Sequence, residues 1–288
     1  MVYKYRIHVN DFNLAYTLDC GQTFRWYKDC DKWIGILPDR VMKVQQKTDI
    51  LYVTTNQPWM EEKILEYFGL KDNLNEVREV SLENLSDQPQ VYEFVKHTFE
   101  YSWGLRILRQ DPLEMFVSYI FSIQSNIPAI RSRLEKLCEL FPENVVRFEG
   151  KRFFIFPGLK QLKSLNYEDW QKLKLGFRAK WVYNFIQKID ENYLKNLRKL
   201  DLKEKLERLT KLEGVGYKVA SCVALFGYGE LNAFPVDRWI IRIMEGFGVH
   251  GTPKKIMQVG MEWFSPYAGY VQEYLFRIAR NRGKWVMN

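Results

Sequence analysis

A chain of 288 residues is long enough for one large or two modest domains around a substantial buried core. No apolar run reaches the length of a membrane span and no secretory signal opens the sequence, so neither a membrane protein nor a secreted one is expected. The formal net charge of +8 is uneven, because residues 1–150 carry −4 and residues 151–288 carry +12. We therefore expect an intracellular protein, cytoplasmic and associated with the nucleoid if its source is prokaryotic.

The first hundred residues are predicted to be mostly β-strands. Short segments rich in β-branched and aromatic residues alternate there with turn residues such as Asp, Pro and Gly. The predicted strands are 24–28, 32–37, 40–46 and 50–55. Residues 58–69 have helical spacing instead.

From residue 112 onward, apolar residues recur with a period of 3.6, which predicts helices. The predicted helices are 113–123, 127–140, 167–173, 179–192, 201–212, 217–226, 238–247, 254–264 and 269–280. We therefore predict an α+β fold with two domains. An N-terminal antiparallel sheet region would occupy residues 1–110, and an all-helical region would occupy residues 111–288.

A basic block occupies residues 151–200, which hold 12 Lys and Arg against 4 Asp and Glu. Trp170, Phe177 and Trp181 are interleaved with these charges. Basic residues with interleaved aromatic ones suit a nucleic-acid face. Taken alone, such a charge run is more often a solvated helix surface, but the hairpin that follows it favours nucleic acid.

That hairpin runs from Leu212 to Lys218 as Leu-Glu-Gly-Val-Gly-Tyr-Lys, which predicts two helices joined by a tight glycine turn. Gly214 and Gly216 allow backbone angles that other residues resist, so successive amide groups can face outward together. Such a nest at a helix N-terminus suits a phosphate oxygen. A lysine just beyond the turn would lie where the chain meets a nucleic-acid backbone.

Lys218 and Asp237 stand 19 residues apart and form the most informative pair in the sequence. An amine nucleophile and a carboxylate near a docked DNA strand suggest an enzyme that excises bases. Asp237 follows Phe-Pro-Val and precedes an apolar run, so it can also cap the next helix. The plainer alternatives are a lysine that contacts phosphate and an aspartate that only caps.

The cysteines, Cys20, Cys30, Cys138 and Cys222, are widely scattered and show neither a metal-ligand nor a disulfide framework. The three histidines are isolated, and no nucleotide-binding loop is found. We expect reduced thiols, no metal site and no cofactor.

Together with segments 20–26, 108–112, 123–127, 175–180 and 272–276, the hairpin resembles the helix-hairpin-helix, Gly-Pro-Asp superfamily of DNA glycosylases. Within that superfamily the chain is most similar to the 8-oxoguanine DNA glycosylases. Relatives such as endonuclease III usually carry a four-cysteine iron–sulfur cluster after the catalytic region. No cysteine follows Cys222, which excludes that cluster.

The resemblance implies a bifunctional glycosylase and AP lyase, because relatives that keep only the aspartate use water and leave an abasic site. Lys218 would attack C1′ of the deoxyribose, and the resulting Schiff base would permit strand cleavage by β-elimination. Asp237 would stabilise the positive charge that develops on the sugar and would handle protons. The implied partner is double-stranded DNA containing 8-oxoguanine, bound by a monomer.

The resemblance also implies a pocket for the flipped lesion base, to which the sheet domain would contribute. Phe276 and Cys222 would cover its two faces, and the Gln272 amide would meet its Watson–Crick edge. The carbonyl of Gly21 would accept the N7 hydrogen that distinguishes 8-oxoguanine from guanine. On periodicity alone, Cys222 and Phe276 would more often be core residues, and Gly21 would be only a turn.

A last group of residues would fill the gap left by the flipped base and contact its former partner. These residues are Gln124, Asn126, Phe177 and Arg178. The chain departs here from the better-known eukaryotic pattern, since Ala129 stands where those relatives have a second arginine and Trp239 where they have a histidine. The missing arginine predicts relaxed selectivity for the opposite base.

Two other functions remain open at the level of sequence. One is a glycosylase of the same superfamily that removes alkylated purines, but that class generally lacks the catalytic lysine. The other is a non-catalytic module that binds DNA through the hairpin. Such a module has no need of Asp237 or of the set Cys222, Gln272 and Phe276.

Overall fold

The N-terminal region is an antiparallel sheet, seen in a computed structural model that describes residues 1–282. Its strands are β1 (Tyr3–His8), β2 (Trp26–Asp29), β3 (Lys32–Ile36), β4 (Val41–Lys47) and β5 (Ile50–Thr55). They lie in the order β1-β5-β4-β3-β2. Along β5, Leu51 and Val53 are buried while Tyr52 is exposed, the alternation expected of a sheet with one covered face. The helix α1 (Leu14–Asp19) connects β1 to β2.

Helices make up most of the rest of the described chain. They are α2 (Glu61–Tyr67), α3 (Leu74–Glu83), α4 (Pro89–Tyr101), α5 (Pro112–Phe121), α6 (Ile127–Glu139), α7 (Leu159–Ser164), α8 (Tyr167–Lys172), α9 (Arg178–Lys188), α10 (Glu191–Lys199), α11 (Leu202–Leu209), α12 (Tyr217–Cys222), α13 (Arg238–Gly246), α14 (Pro253–Trp263) and α15 (Ala268–Arg282). A π-helical turn, Val223–Gly227, continues α12. No helix within residues 1–282 combines the length and the apolar character needed to cross a membrane.

The α+β prediction is confirmed, with three local corrections. The first hundred residues contain α3 and α4 as well as strands, because the Asn73 side chain caps α3 and Pro89 begins α4. Residues 179–192 are not one helix. Instead α9 ends and the Asp190 carboxylate caps α10, accepting from the Tyr193 amide at 2.6 Å.

The third correction is a β-hairpin inside the region predicted to be all helical. Its strands are β6 (Val145–Phe148) and β7 (Lys151–Phe154). The two residues between them, Glu149 and Gly150, both have positive φ, at 48° and 78°. That combination is the tight turn that favours a two-residue hairpin.

The core is built around α5, whose residues from Leu113 to Phe121 are all buried. On the other side of the core, α15 packs against α4 and α13. The phenol of Tyr274 on α15 donates to the Leu105 carbonyl at 3.1 Å, which joins the last helix to the region after α4. The predicted domain boundary between residues 110 and 111 stays a prediction. The helices α2 to α4 lie within the first predicted domain, so that domain would not consist of the sheet alone.

Candidate active site

The glycine turn between α11 and α12 is held by a tryptophan. Gly214 has φ of +79°, and a Cβ added there would lie 2.4 Å from Cδ2 of Trp181 on α9. Only glycine therefore fits, for its backbone angle as well as for its lack of a side chain. Gly216 precedes α12, and a Cβ there would meet nothing within 4 Å. The turn thus presents open backbone at the start of α12, where a helix N-terminus favours an anion.

Lys218 lies in the first turn of α12 and is half-buried. Its Nζ donates to the Ser122 hydroxyl at 3.2 Å and lies 4.9 Å from the centre of the Tyr119 ring. Burial raises the pKa of Tyr119 well above its usual value, so the ring beside the amine stays a neutral phenol. The π face of that ring attracts the amine when it is protonated.

Asp237 caps α13, as its position in the sequence predicts. Its Oδ1 accepts from the amides of Trp239 and Ile240, each at 2.9 Å. These bonds fix the carboxylate in one orientation at the start of the helix. The side chain is half-buried and lines the same cavity as Lys218.

That cavity has a volume of about 790 Å³, enough for a nucleoside-sized ligand. It collects most of the residues predicted for the site, although these come from distant parts of the chain. The predicted residues that line it are Gly21, Gln124, Asn126, Gly214, Gly216, Lys218, Asp237 and Phe276.

Gly21 and Phe276 lie next to each other in the lining of the cavity. Gly21 has φ of +106°, and a Cβ there would lie 3.2 Å from Cε1 of Phe276. The next residue, Gln22, is fully buried. Its amide donates to the Arg106 carbonyl at 2.8 Å and accepts from the Leu108 amide at 2.7 Å. The Gly21 turn is therefore held against the segment that connects α4 to α5.

Cys222 and Gln272 lie buried rather than on the cavity wall. Their exposed fractions are 3% and 4%. Burial raises the pKa of the Cys222 thiol to about 12, while the nearby Lys218 lowers it, so the thiol is neutral. Oε1 of Gln272 is buried and has no hydrogen-bond partner among the described residues. A buried acceptor without a donor is costly, which is typical of a group that awaits a ligand.

The residues predicted for the opposite strand form two groups. Gln124 has φ of +48° and Asn126 caps α6, accepting from the Ala129 amide at 2.9 Å. Phe177, at the start of α9, is 47% exposed. Arg178 stacks on it at 5.0 Å. Neither Phe177 nor Arg178 lines the cavity.

Several residues at the site were not predicted from the sequence. Ser122 and Tyr119 contact the lysine as described, and Arg280 donates to the Asp19 carbonyl at 2.6 Å beside the Gly21 turn. Glu273 is buried, and burial raises its pKa to about 8. Helical spacing could have predicted two of them. Glu273 lies three residues before Phe276 and Arg280 four residues after it, so all three share one face of the same helix.

Comparison with known proteins gives consistent similarities. The family model described as 8-oxoguanine DNA glycosylase, N-terminal domain, matches residues 4–116. The N-glycosylase/DNA lyase OGG1 of Arabidopsis thaliana is 27% identical over 288 residues, covering 92% of this chain and 77% of the relative. A structure of the Clostridium acetobutylicum 8-oxoguanine glycosylase/lyase, in complex with dsDNA containing cytosine opposite to 8-oxoG, is 30% identical. Its TM-score is 0.87, and the match covers 99% of each chain.

A more distant structure shares the fold alone. The 3-methyladenine DNA-glycosylase from Archaeoglobus fulgidus is 18% identical with a TM-score of 0.76. The match covers 96% of this chain and 98% of that one. The same architecture therefore occurs with another named activity, so the residues of the site must decide the chemistry.

Proposed function

Because the chain belongs to the 8-oxoguanine DNA glycosylase family, we propose that it excises 8-oxoguanine from duplex DNA and then cleaves the strand. Lys218 is the nucleophile and Asp237 the charged partner. The observation that carries this proposal is that both side chains line one cavity beside the glycine turn. Gly21 and Phe276 line the same cavity, where a flipped base can be examined.

The chemistry begins once the target nucleotide is turned out of the duplex. The Lys218 amine, in its neutral form, bonds to C1′ while the glycosidic bond breaks and the base leaves with the bonding electrons and a proton. The Asp237 carboxylate stabilises the positive charge that develops on the sugar. Loss of the amine proton and ring opening give a Schiff base. Removal of a C2′ proton then expels the 3′ phosphate by β-elimination.

Recognition of the base uses the part of the cavity where Gly21 and Phe276 lie next to each other. Phe276 stacks on one face of the base and Cys222, as a neutral thiol, approaches the other. The unpartnered Oε1 of Gln272 accepts an N–H from the Watson–Crick edge. The Gly21 carbonyl accepts the N7 hydrogen, a contact that ordinary guanine cannot make because its N7 carries no hydrogen.

The duplex is held by the other side of the site. Backbone amides at Gly214 and Gly216 receive a phosphate, and Phe177 is exposed for insertion into the base stack. Gln124 and Asn126 enter the gap left by the flipped base. We place the reaction in base excision repair, in the cytoplasm at the nucleoid if the source is prokaryotic, with one copy of the chain on each lesion.

The test uses a labelled duplex with one 8-oxoguanine opposite cytosine, with and without borohydride. Wild type is expected to cut the strand and, with borohydride, to form a covalent adduct, because reduction converts the Schiff base to a stable amine. Lys218→Gln removes the nucleophile and is expected to abolish both products. Lys203→Gln, at an exposed lysine of α11, removes the same charge from the helix before the glycine turn and is expected to retain both products.

Three results would contradict the proposal. Tight binding without excision by wild type would indicate another damaged base or a non-catalytic module. Excision without a borohydride adduct would indicate attack by water in place of Lys218. Retention of the adduct in Lys218→Gln would assign the nucleophile to another residue.

A further inference from the structure

Arg133 lies on α6, one helical turn after Ala129, beside the loop formed by Gln124, Ser125 and Asn126. Its Nη1 donates to the Ser125 hydroxyl at 2.7 Å. The contact spans eight residues, back toward the start of the helix. Side chains on a helix lean toward its N-terminus, so the long arginine covers the surface around Ala129.

The charge of Arg133 also acts on Arg178, which starts α9. Arg178 is 7% exposed, and its Nε is buried without a hydrogen-bond partner among the described residues. Burial and then the charge of Arg133 lower the pKa of Arg178. Two positive guanidinium charges repel each other. The two arginines, with the Arg178 Nε donor unpartnered within residues 1–282, are suited to bind a ligand that offers hydrogen-bond acceptors.

We infer that Arg133 reads the base opposite the lesion together with Arg178, and so determines specificity for cytosine. The inference rests on the proposed function. It differs from the expectation of relaxed selectivity, which depends only on alanine at position 129. The structure provides a second arginine from the next turn of the same helix.

The preference for cytosine follows from the donors that arginine carries. A guanidinium has N–H donors and no acceptor. The pairing edge of cytosine presents O2 and N3, two adjacent acceptors. Thymine and guanine place an N–H at the central position of that edge, and adenine offers a single acceptor beside its amino group. A pair of arginines is therefore best satisfied by cytosine.

The experiment measures binding and excision with each of the four bases opposite the site. Binding uses duplexes that carry a tetrahydrofuran abasic analogue, which has no base to excise, so this measurement does not depend on glycosylase activity. Excision uses duplexes with 8-oxoguanine under single-turnover conditions. The variants are Arg133→Met, which keeps length without charge, and Arg133→Lys, which keeps charge without the planar fork.

Wild type is expected to bind and excise opposite cytosine roughly tenfold better than opposite adenine, the effect of one well-placed arginine on base discrimination. Arg133→Met is expected to lose that ratio, and Arg133→Lys to recover only part of it. Adding Ala129→Arg to Arg133→Met is expected to restore it. The control Lys136→Met removes an exposed charge from the same helix and is expected to keep the wild-type ratio.

Equal binding of wild type to all four analogue duplexes would overturn the inference. So would an Arg133→Met variant that weakens all four equally, because Arg133 would then only hold the Ser125 loop. A wild-type preference for cytosine in binding, without any excision of 8-oxoguanine, would instead contradict the proposed function and leave the role of Arg133 standing.

Discussion

Replacing Gly21 with alanine is expected to impair recognition of the lesion base while leaving the lysine chemistry in place. At φ of +106° a side chain is strained, by roughly 1–2 kcal/mol. The new methyl group would also lie 3.2 Å from Cε1 of Phe276, closer than an ordinary contact. The ring must shift by a few tenths of an ångström, which adds about 1 kcal/mol. The expected loss of unfolding free energy is therefore roughly 2–3 kcal/mol.

The effect on activity follows from the moved ring. Stacking of a base on an aromatic side chain contributes about 1–3 kcal/mol, so a displaced Phe276 is expected to slow excision of 8-oxoguanine at least about fivefold. A duplex with a preformed abasic site has no base to stack. Its cleavage through Lys218 is expected to continue at a rate close to that of wild type.

The assay compares the two substrates under single-turnover conditions, with thermal denaturation as the measure of stability. Gly150→Ala is the control for backbone strain, since Gly150 has φ of +78° and a Cβ there would meet nothing within 4 Å. It is expected to lose stability and to keep both activities. Wild-type excision by Gly21→Ala, or an equal loss of both activities, would refute this account of the pocket.

Three further predictions concern Asp237, Glu273 and Gln124. Asp237→Asn keeps a side chain that caps α13 well, so the free energy of unfolding, measured in urea, is expected to change by less than about 1 kcal/mol. The rate of excision is expected to fall at least about 100-fold, because the carboxylate charge is lost. A variant that fails to fold would contradict this prediction. Burial raises the pKa of Glu273 from 4.5 to about 8, so the stability due to its protonated form is complete below pH 4.5 and is lost as the pH rises to 8. Glu273→Gln is therefore expected to flatten the fall of Tm between pH 5 and pH 8, and an unchanged slope would count against this pKa. Gln124→Asn places a residue that tolerates positive φ at a position with φ of +48°, and is expected to raise the free energy of unfolding by up to about 1 kcal/mol, measured by urea titration.

The sequence was sufficient for the fold class and the family, and the comparisons confirm both. It succeeded where one local signal dominated, as in the glycine turn before Lys218 and the cap at Asp237. It failed where two signals competed. Residues 179–192 keep a helical period throughout, yet the capping side chain of Asp190 divides them into two helices. The hairpin at residues 145–154 was missed because its Glu-Gly turn is a weaker signal than Asn-Gly.

The site shows a similar division. Residues within known motifs were predicted, and most of them line one cavity, while their catalytic and binding roles stay predictions. Arg133, Ser122 and Glu273 were not predicted, because their importance depends on distances between separate helices. Helical period alone cannot show that Arg133 reaches back to Ser125, nor that Glu273 is buried.

The position of Phe276 on α15 ties two properties of the protein together. The same helix buries Tyr270 and Tyr274 completely in the core, and it begins 31 residues after Asp237 in the order of synthesis. A chain interrupted before this helix would contain Lys218 and Asp237, the proposed nucleophile and carboxylate, but would lack Gln272 and Phe276, which are proposed to contact the base. It would also lack two of the largest core side chains and would be poorly folded. A truncated product is therefore not expected to open DNA without checking for damage.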